Sequence, residues 1–347
     1  MRGNDGPLEG GCSGTEIGNL TLDGRYRGRP WIVTQEWAVR EIEELLWLSG
    51  ELKRRFRAGE PTLVQPHKTI FLLFFDNSTR TRNSFEAGAT QLGAHAHFIS
   101  SETSQVAHGE SAKDTGVILS RYGHGIAIRH DKIPGEGNAY LREVARWAEV
   151  PVINMQCDVD HPCQTLTDLM TLREKLGEDL RGRRIAVSWA YTRTYAKPVS
   201  VPQGLITLMT RFGLDVVLAH PPEFGLMPDQ IEIARANAAS SGGRFEVTGS
   251  MDEAFRDADI VYPKSWGCLD LFDRPEESLA LGEKYQDWIC DERRMGLAKP
   301  GALYMHCLPA DRGTEVTDPV IDGPQSVVYD EAENRLHTCK ALMAALM

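Results

Sequence analysis

Residues Ile70 to Phe75 form a near-continuous apolar run that stops abruptly in Asp76-Asn77-Ser78-Thr79-Arg80-Thr81-Arg82. A run of this kind predicts a strand buried on both faces of a parallel sheet. The polar residues Asn77, Ser78 and Thr79 end it. Asn83-Ser84-Phe85-Glu86-Ala87-Gly88-Ala89-Thr90-Gln91-Leu92 then reads as the start of a helix. Free backbone N–H groups, the hydroxyls of Ser78 and Thr81, and the guanidinium groups of Arg80 and Arg82 thereby gather at a helix N-terminus. Helix dipole and arginine fork both favour an anion there, phosphate above all. Taken alone, the run reads equally well as hydroxyl caps followed by a solvated basic turn.

The same strand-then-helix pattern recurs along the chain. Strands are expected near His97–Ile99, Ile126–Arg129 and Val152–Asn154, with helices from Ser111 and over Ala139–Trp147 between them. A second series of strands is expected near Ile185–Trp189, Val216–Ala219, Ile260–Tyr262, Leu303–His306 and Val327–Tyr329, again with helical stretches between. Strict alternation implies parallel sheets covered on both faces. With 347 residues, that means an α/β protein of two doubly wound domains. Residues 1 to 28 are rich in Gly and polar residues and read as a mobile arm. Thr34 is placed to cap a helix over Trp37–Arg57 that carries Ile42, Leu45, Leu46 and Leu48 on its apolar face. His161 to Leu176 reads as a helix linking the halves, so the first domain is taken as 29–165 and the second as 166–331.

Charge and composition narrow the partners. There are 38 Lys and Arg against 49 Asp and Glu, a net charge of −11. That argues against nucleic acid or an anionic membrane surface. No apolar run reaches the ~20 residues needed to span a bilayer, and the N-terminus lacks the order of a signal peptide. Seven cysteines without a C-x-x-C pair point to reduced thiols and a cytoplasmic location. His95 and His97 share one face of a strand, but no third ligand is near, so no metal is expected. No Gly-x-Gly-x-x-Gly follows any expected strand, which disfavours a nucleotide-linked dehydrogenase.

Three further motifs follow the first in order: His161-Pro162-Cys163-Gln164, His306-Cys307-Leu308-Pro309-Ala310 and Glu333-Asn334-Arg335-Leu336-His337. Together with Ser78-Thr79-Arg80-Thr81-Arg82 they resemble the aspartate/ornithine carbamoyltransferase family, from about Trp31 to the C-terminus. The resemblance implies transfer of a carbamoyl group from carbamoyl phosphate to an amine, without metal, cofactor or covalent intermediate. It implies that Ser78, Thr79, Arg80 and Thr81 hold the phosphate, and that Arg129, His161 and Thr81 face the carbamoyl oxygen. Gln164 and the backbone carbonyls of Cys307 and Leu308 would read the carbamoyl amide, and Arg335 would close the anion cage. The final helix, 332–347, would cross back onto the first domain. Ser101 to Thr115 resembles the family loop that reaches into a neighbouring subunit, where Gln105 would contact carbamoyl phosphate; a homotrimer is implied. An exposed polar loop before a helix capped by Ser111 is the plainer reading of that segment.

The acceptor side departs from the ornithine enzymes. They carry an aspartate and a Ser-Met-Gly loop for the zwitterionic end of ornithine, whereas this chain has Lys264-Ser265-Trp266-Gly267. Lysine for aspartate reverses the charge, so a carboxylate is favoured there and a free α-ammonium repelled. This segment is similar to that of the acetylornithine carbamoyltransferases. Ser188 to Gly204 resembles the proline-containing loop through which that branch threads a knot. Ala107-His108-Gly109-Glu110 and Lys197-Pro198-Val199-Ser200-Val201-Pro202-Gln203-Gly204 resemble its YgeW-type members. The expected acceptor is therefore a small amino-acid-like amine with a carboxylate, bound by Lys264, Ser265 and Trp266. Ornithine itself, or a catalytically silent carbamoyl-phosphate-binding paralogue, remains as the other reading.

Overall fold

The computed structural model describes residues 20–131 and 133–347. In chain order the helices are α1 (Val39–Ala58), α2 (Thr79–Gln91), α3 (Ala112–Tyr122), α4 (Gly137–Trp147), α5 (Pro162–Leu176), α6 (Ser200–Arg211), α7 (Pro228–Ser241), α8 (Met251–Phe255), α9 (Pro275–Gly282), α10 (Glu292–Met295), α11 (Asp318–Ile321) and α12 (Val328–Leu346). The strands are β1 (Thr69–Phe74), β2 (His95–Ser100), β3 (Gly125–His130), β4 (Val152–Cys157), β5 (Arg184–Trp189), β6 (Asp215–Ala219), β7 (Phe245–Thr248), β8 (Ile260–Lys264) and β9 (Leu303–Tyr304). They form two all-parallel sheets, β2-β1-β3-β4 and β7-β6-β5-β8-β9. The protein is thus two doubly wound α/β units, as the alternation predicts.

The order of each sheet locates a crevice. In the first, the chain leaves β1 for β2 on one side and returns to β3 on the other. The connections therefore diverge above the carboxyl ends of β1 and β3, where Phe74 pairs with Arg129. In the second, β6 and β8 flank β5, and the divergence lies where Trp189 pairs with Lys264. Ligands of open α/β sheets bind at such switch points. Here both open onto one cleft.

Burial follows the sequence closely in the central strands. Ile70, Leu72 and Leu73 are at most 1% exposed, and every residue of β4 is buried. The last helix packs on α1, α2 and α5, so the chain end lies against the first sheet's helical layer. Gly204 sits where α6 meets α5: a Cβ there would lie 2.4 Å from Asp160 Oδ1 and 2.7 Å from Thr165 Cγ2.

Several expectations need correction. Residues 1–19 of the expected mobile arm lie outside the described residues, but 20–28 are packed, with Leu20, Leu22 and Tyr26 buried. Tyr26 makes an edge contact with Trp37, as does Trp31. Thr34 does not cap α1. It lies in a 3₁₀ turn and gives its N–H to Asp160 Oδ2 at 2.9 Å, while Ala38 precedes the helix. Val327–Tyr329 is not a strand: Ser326 makes a single bridge to Tyr304 and the helix begins at Val328. The strand at Leu303 also ends early, because the His306 N–H turns to Glu331 Oε2 at 3.0 Å. The edge strand β7 is additional to the expected strands, since its burial is only partial and no long apolar run marks it.

Candidate active site

The cleft between the switch points has a water-accessible volume of about 220 Å³. Ser78, Thr79, Arg80 and Thr81 line it from the start of α2, Arg129 from β3, His161 and Gln164 from α5, Lys264 from β8, and Arg335 from α12. Cys307 and Leu308 join the lining from the loop after β9. Widely separated stretches of sequence thus meet on one surface.

Ser78 is the N-cap of α2, its Oγ accepting the Thr81 N–H at 3.3 Å. The preceding amides of the first turn have no intrahelical acceptor and carry the positive end of the helix dipole, at residues that line the cleft. Arg80 makes no ion pair among the described residues. Burial holds its guanidinium below the usual value, and the charges of Arg335 and Arg129 add to that. Arg335 donates Nη1 to Thr81 Oγ1 at 3.2 Å, while its buried Nε has no partner. Arg129 gives Nη2 to Asp131 Oδ2 at 2.8 Å, and its Nε is likewise unpartnered. Three cations held together against their own repulsion make a site that an anion stabilises.

His161 and Gln164 are buried and prepared differently. Burial, followed by the charges of Arg335, Arg129 and Lys264, holds His161 well below the usual imidazole range, so it is neutral at pH 7. Its Nδ1 is buried without a partner. Gln164 donates Nε2 to Asp168 Oδ1 at 2.5 Å and to Glu331 Oε1 at 2.8 Å. The two acceptors fix the amide, leaving Gln164 Oε1 as a buried, unpartnered acceptor. Behind them, Tyr262 donates to Glu331 Oε1 at 3.2 Å. Burial pushes the Asp168 carboxyl up to about 7 and raises Glu331 well above its ordinary value.

On the opposite wall Lys264 is buried, with Nζ donating to Ser265 O at 3.0 Å. Burial lowers its pKa, and the nearby Cys307 opposes that. Reciprocally, burial raises the Cys307 thiol, but Lys264, His306 and Arg335 outweigh it and hold the thiol at about 6. Glu315, fully buried, organises this wall. Its Oε1 accepts the N–H and Oγ–H of Ser265, both at 2.7 Å, and its Oε2 accepts Lys197 Nζ at 2.7 Å and the Asp311 N–H at 2.6 Å. His306 Nδ1 accepts the Leu308 N–H at 2.8 Å, which leaves the ring proton on Nε2, 3.5 Å from Glu315 Oε1.

Three expected site residues stand apart. Ser265 is buried on Glu315 and is not in the cleft lining. Trp266 is 1% exposed and donates its indole N–H to Phe224 O at 2.8 Å, so in this arrangement it belongs to the core. Gln105 is exposed in the turn Gln105–His108, contacts His108, and does not line the cleft of its own chain. Reading motifs alone passed over Gln156, Tyr195 and Lys197, which also line the cleft, and Glu315 behind it. Lys197 and Tyr195 lie in the segment Ser188 to Gly204, where the Lys197-Pro198 pair was the available signal. No group of His, Cys, Asp or Glu side chains able to hold a metal ion occurs among the described residues. No helix among the described residues is long and apolar enough to cross a membrane.

Residues 29–174 match the family model described as aspartate/ornithine carbamoyltransferase, carbamoyl-P binding domain, and residues 197–346 match that of the Asp/Orn binding domain. The chain belongs to the aspartate/ornithine carbamoyltransferase family. Within the family, it is 38% identical to the putative carbamoyltransferase YgeW of Escherichia coli O157:H7, over 93% of this chain and 91% of the relative. It is 37% identical to the N-acetylornithine carbamoyltransferase of Xanthomonas campestris, over 90% and 96%. Among solved structures, an acetylornithine transcarbamylase complexed with acetylcitrulline superposes with a TM-score of 0.85 at 35% identity, covering 92% of this chain and 99% of that one. The ornithine carbamoyltransferase of Pyrococcus furiosus gives 0.83, also at 35% identity, covering 92% and 97%.

Proposed function

We propose that the protein transfers the carbamoyl group of carbamoyl phosphate to the amine of an acceptor that carries a carboxylate. In the step, the amine nitrogen bonds to the carbamoyl carbon and the carbon–oxygen bond to phosphate breaks. The proton lost by the amine balances the departing phosphate. The observation that carries the reading is the convergence of the α2 N-terminus, Arg80, Arg129 and Arg335 on one cleft, opposite a buried lysine.

The roles follow from the chemistry of each group. First-turn amides, Ser78, Thr79 and Arg80 take the phosphate oxygens, and Arg335 closes the cage. Arg129, Thr81 and neutral His161 donate to the carbamoyl oxygen as it gains negative charge; each such donor is typically worth about 3 kcal/mol of barrier. Gln164 Oε1 and the carbonyls of Cys307 and Leu308 accept from the carbamoyl amide. Lys264 faces the acceptor carboxylate. Gln105 completes the site of a neighbouring subunit in a homotrimer, which accounts for its exposure in a single chain. The six described cysteines are all free thiols, which fits a cytoplasmic enzyme.

The test is a thermal-shift titration with carbamoyl phosphate in the presence of a chelator, followed by phosphate release with an amine panel. The wild type should be stabilised, and Arg80→Ala should lose the shift. A shift that survives in Arg80→Ala would remove the phosphate assignment. Stabilisation without phosphate release for any amine would instead favour a silent carbamoyl-phosphate-binding paralogue.

A further inference from the structure

Gln164 is gripped from behind by two acids. A single nitrogen, its Nε2, donates to Asp168 Oδ1 at 2.5 Å and to Glu331 Oε1 at 2.8 Å. Asp168 follows one turn later on α5, and Glu331 comes from the first turn of α12, 167 residues away. Asp168 is 0%, Glu331 1% and Gln164 2% exposed. With Nε2 turned onto the acids, the other terminal atom of this cleft-lining side chain is Oε1, which has no protein partner.

The acids have no cation of their own. Glu331 accepts the Tyr262 O–H on Oε1 at 3.2 Å and the His306 N–H on Oε2 at 3.0 Å, while Asp168 Oδ2 is buried without a donor. The surrounding cations are engaged elsewhere. Arg335 on α12 donates to Thr81, Lys53 on α1 pairs with Glu174 at 2.8 Å, and Lys264 on β8 donates to Ser265 O. Arg211, at the end of α6, donates to the carbonyls of Thr34 and Trp37. Cys307, from the loop after β9, pushes both acids toward the neutral form, and Arg335 opposes that at Asp168. Two carboxylates around one nitrogen in a dry interior do not both ionise near neutral pH. Burial raises both, Asp168 to about 7, and the Asp168 charge adds to the shift at Glu331.

We propose that Asp168 and Glu331 are positioning residues that keep one proton between them, hold the Gln164 oxygen toward the substrate, and so let the protein tell a carbamoyl NH₂ from a methyl group. The inference deepens the carbamoyl-transfer reading and rests on it. With one proton shared, each Nε2 hydrogen still meets an acceptor. A second proton adds an O–H that can donate to the amide oxygen instead. The amide then loses the bias that turns Oε1 away from the acids. Recognition of the NH₂ weakens as pH falls, while the phosphate cage is untouched.

Acetyl phosphate carries a methyl where carbamoyl phosphate carries the NH₂. The ratio of their Kd values, from isothermal titration, therefore reads Gln164 separately from phosphate affinity. In the wild type carbamoyl phosphate should bind about tenfold or more tighter near pH 8.5, and that preference should shrink severalfold by about pH 5.5. Asp168→Asn offers an acceptor to Gln164 and an N–H to Glu331, which makes the shared proton permanent. Its preference should stay high across the range. The double variant Asp168→Asn/Glu331→Gln imitates the doubly protonated pair and should discriminate poorly at every pH. A wild-type preference that does not change with pH would overturn the proposal. So would a fall in Asp168→Asn equal to that of the wild type, which would assign the titration to Cys307; this arm stands alone if the double variant does not fold. A double variant as selective as the wild type near pH 8.5 would also overturn it. In each of these cases carbamoyl transfer is left standing. Failure of both phosphates to bind the wild type would overturn the reading and the positioning role together.

Discussion

Arg335 Nη1 lies 3.2 Å from Thr81 Oγ1, across 254 residues of sequence. The last helix thereby reaches into the first turn of α2, and the proposed anion cage would close only when the chain end has docked on the first sheet's layer. Arg335→Ala should weaken carbamoyl phosphate by about 1.5–3 kcal/mol, the usual worth of a hydrogen bond to a charged group, or roughly tenfold to a hundredfold in Kd. Removing Arg335 also relieves repulsion on Arg80, so the ligand-free protein should lose less stability than the complex. Isothermal titration with carbamoyl phosphate measures the first effect, and thermal melts with and without ligand measure the second. Equal loss in both melts would mean that Arg335 is a packing residue.

The Cys307 thiol is held at about 6 against the ordinary value of 9, because Lys264, His306 and Arg335 outweigh its burial. Cys307 should therefore alkylate with iodoacetamide at a rate that is half-maximal near pH 6, and it should be a thiolate at neutral pH. Lys264→Met removes the largest opposing charge and should move the midpoint upward. Carbamoyl phosphate should protect, since its dianion occupies the same positive field. Peptide mapping at Cys307 across pH 5 to 9 gives the profile; a midpoint near 9 in the wild type would contradict the electrostatic account.

How far the sequence reached differs between sheet and loop. Central strands such as β1 and β5 were legible because burial on both faces demands an unbroken apolar run. The edge strand β7 needs no such run, and it was invisible. The anion side was legible residue by residue, since Ser78, Arg80, Arg129, His161, Gln164 and Arg335 all line one cleft. The acceptor side was less so. Trp266 and Ser265 stand next to Lys264 in sequence, yet both lie past the end of β8, where Ser265 is taken up by Glu315 and Trp266 by the core at Phe224 O. Glu315 lies outside every motif, and its importance comes from a contact 50 residues away. No local pattern encodes it.

Gln105 is exposed and outside the lining of its own cleft, so its proposed role requires a neighbour. Arg80→Ala and Gln105→Ala proteins should each be nearly inactive yet assemble as trimers by sedimentation. Co-refolded mixtures should regain activity, because some hybrid sites carry neither defect. A statistical mixture of the two in trimers restores at most a minor share of sites, about a quarter for a site drawn from two adjacent subunits. Mixtures no more active than their parents, with assembly intact, would place every catalytic group in one chain.

The acceptor turns on Lys264. It is buried, its Nζ meets the Ser265 carbonyl, and it has no carboxylate ion-pair partner among the described residues, whereas Lys197 beside it is neutralised by Glu315 and Asp311. Of these two lysines, Lys264 is therefore the one left to pair with a ligand. Truncating one side of a desolvated charge pair costs about 2–5 kcal/mol, roughly thirtyfold to several thousandfold in kcat/KM. Lys264→Met should lose that much with Nα-acetylornithine, while its carbamoyl-phosphate affinity falls far less. Lys264→Asp should reverse the preference toward ornithine, whose α-ammonium the new carboxylate can meet. The gain should be partial, because the introduced carboxylate would sit near Glu315 and part of its charge would be suppressed by that neighbour. Steady-state kinetics of wild type and both variants with Nα-acetylornithine and ornithine decide the point. Efficient carbamoylation of ornithine by the wild type would overturn the charge argument, since the same buried ammonium cannot favour a carboxylate and tolerate a desolvated α-ammonium beside it.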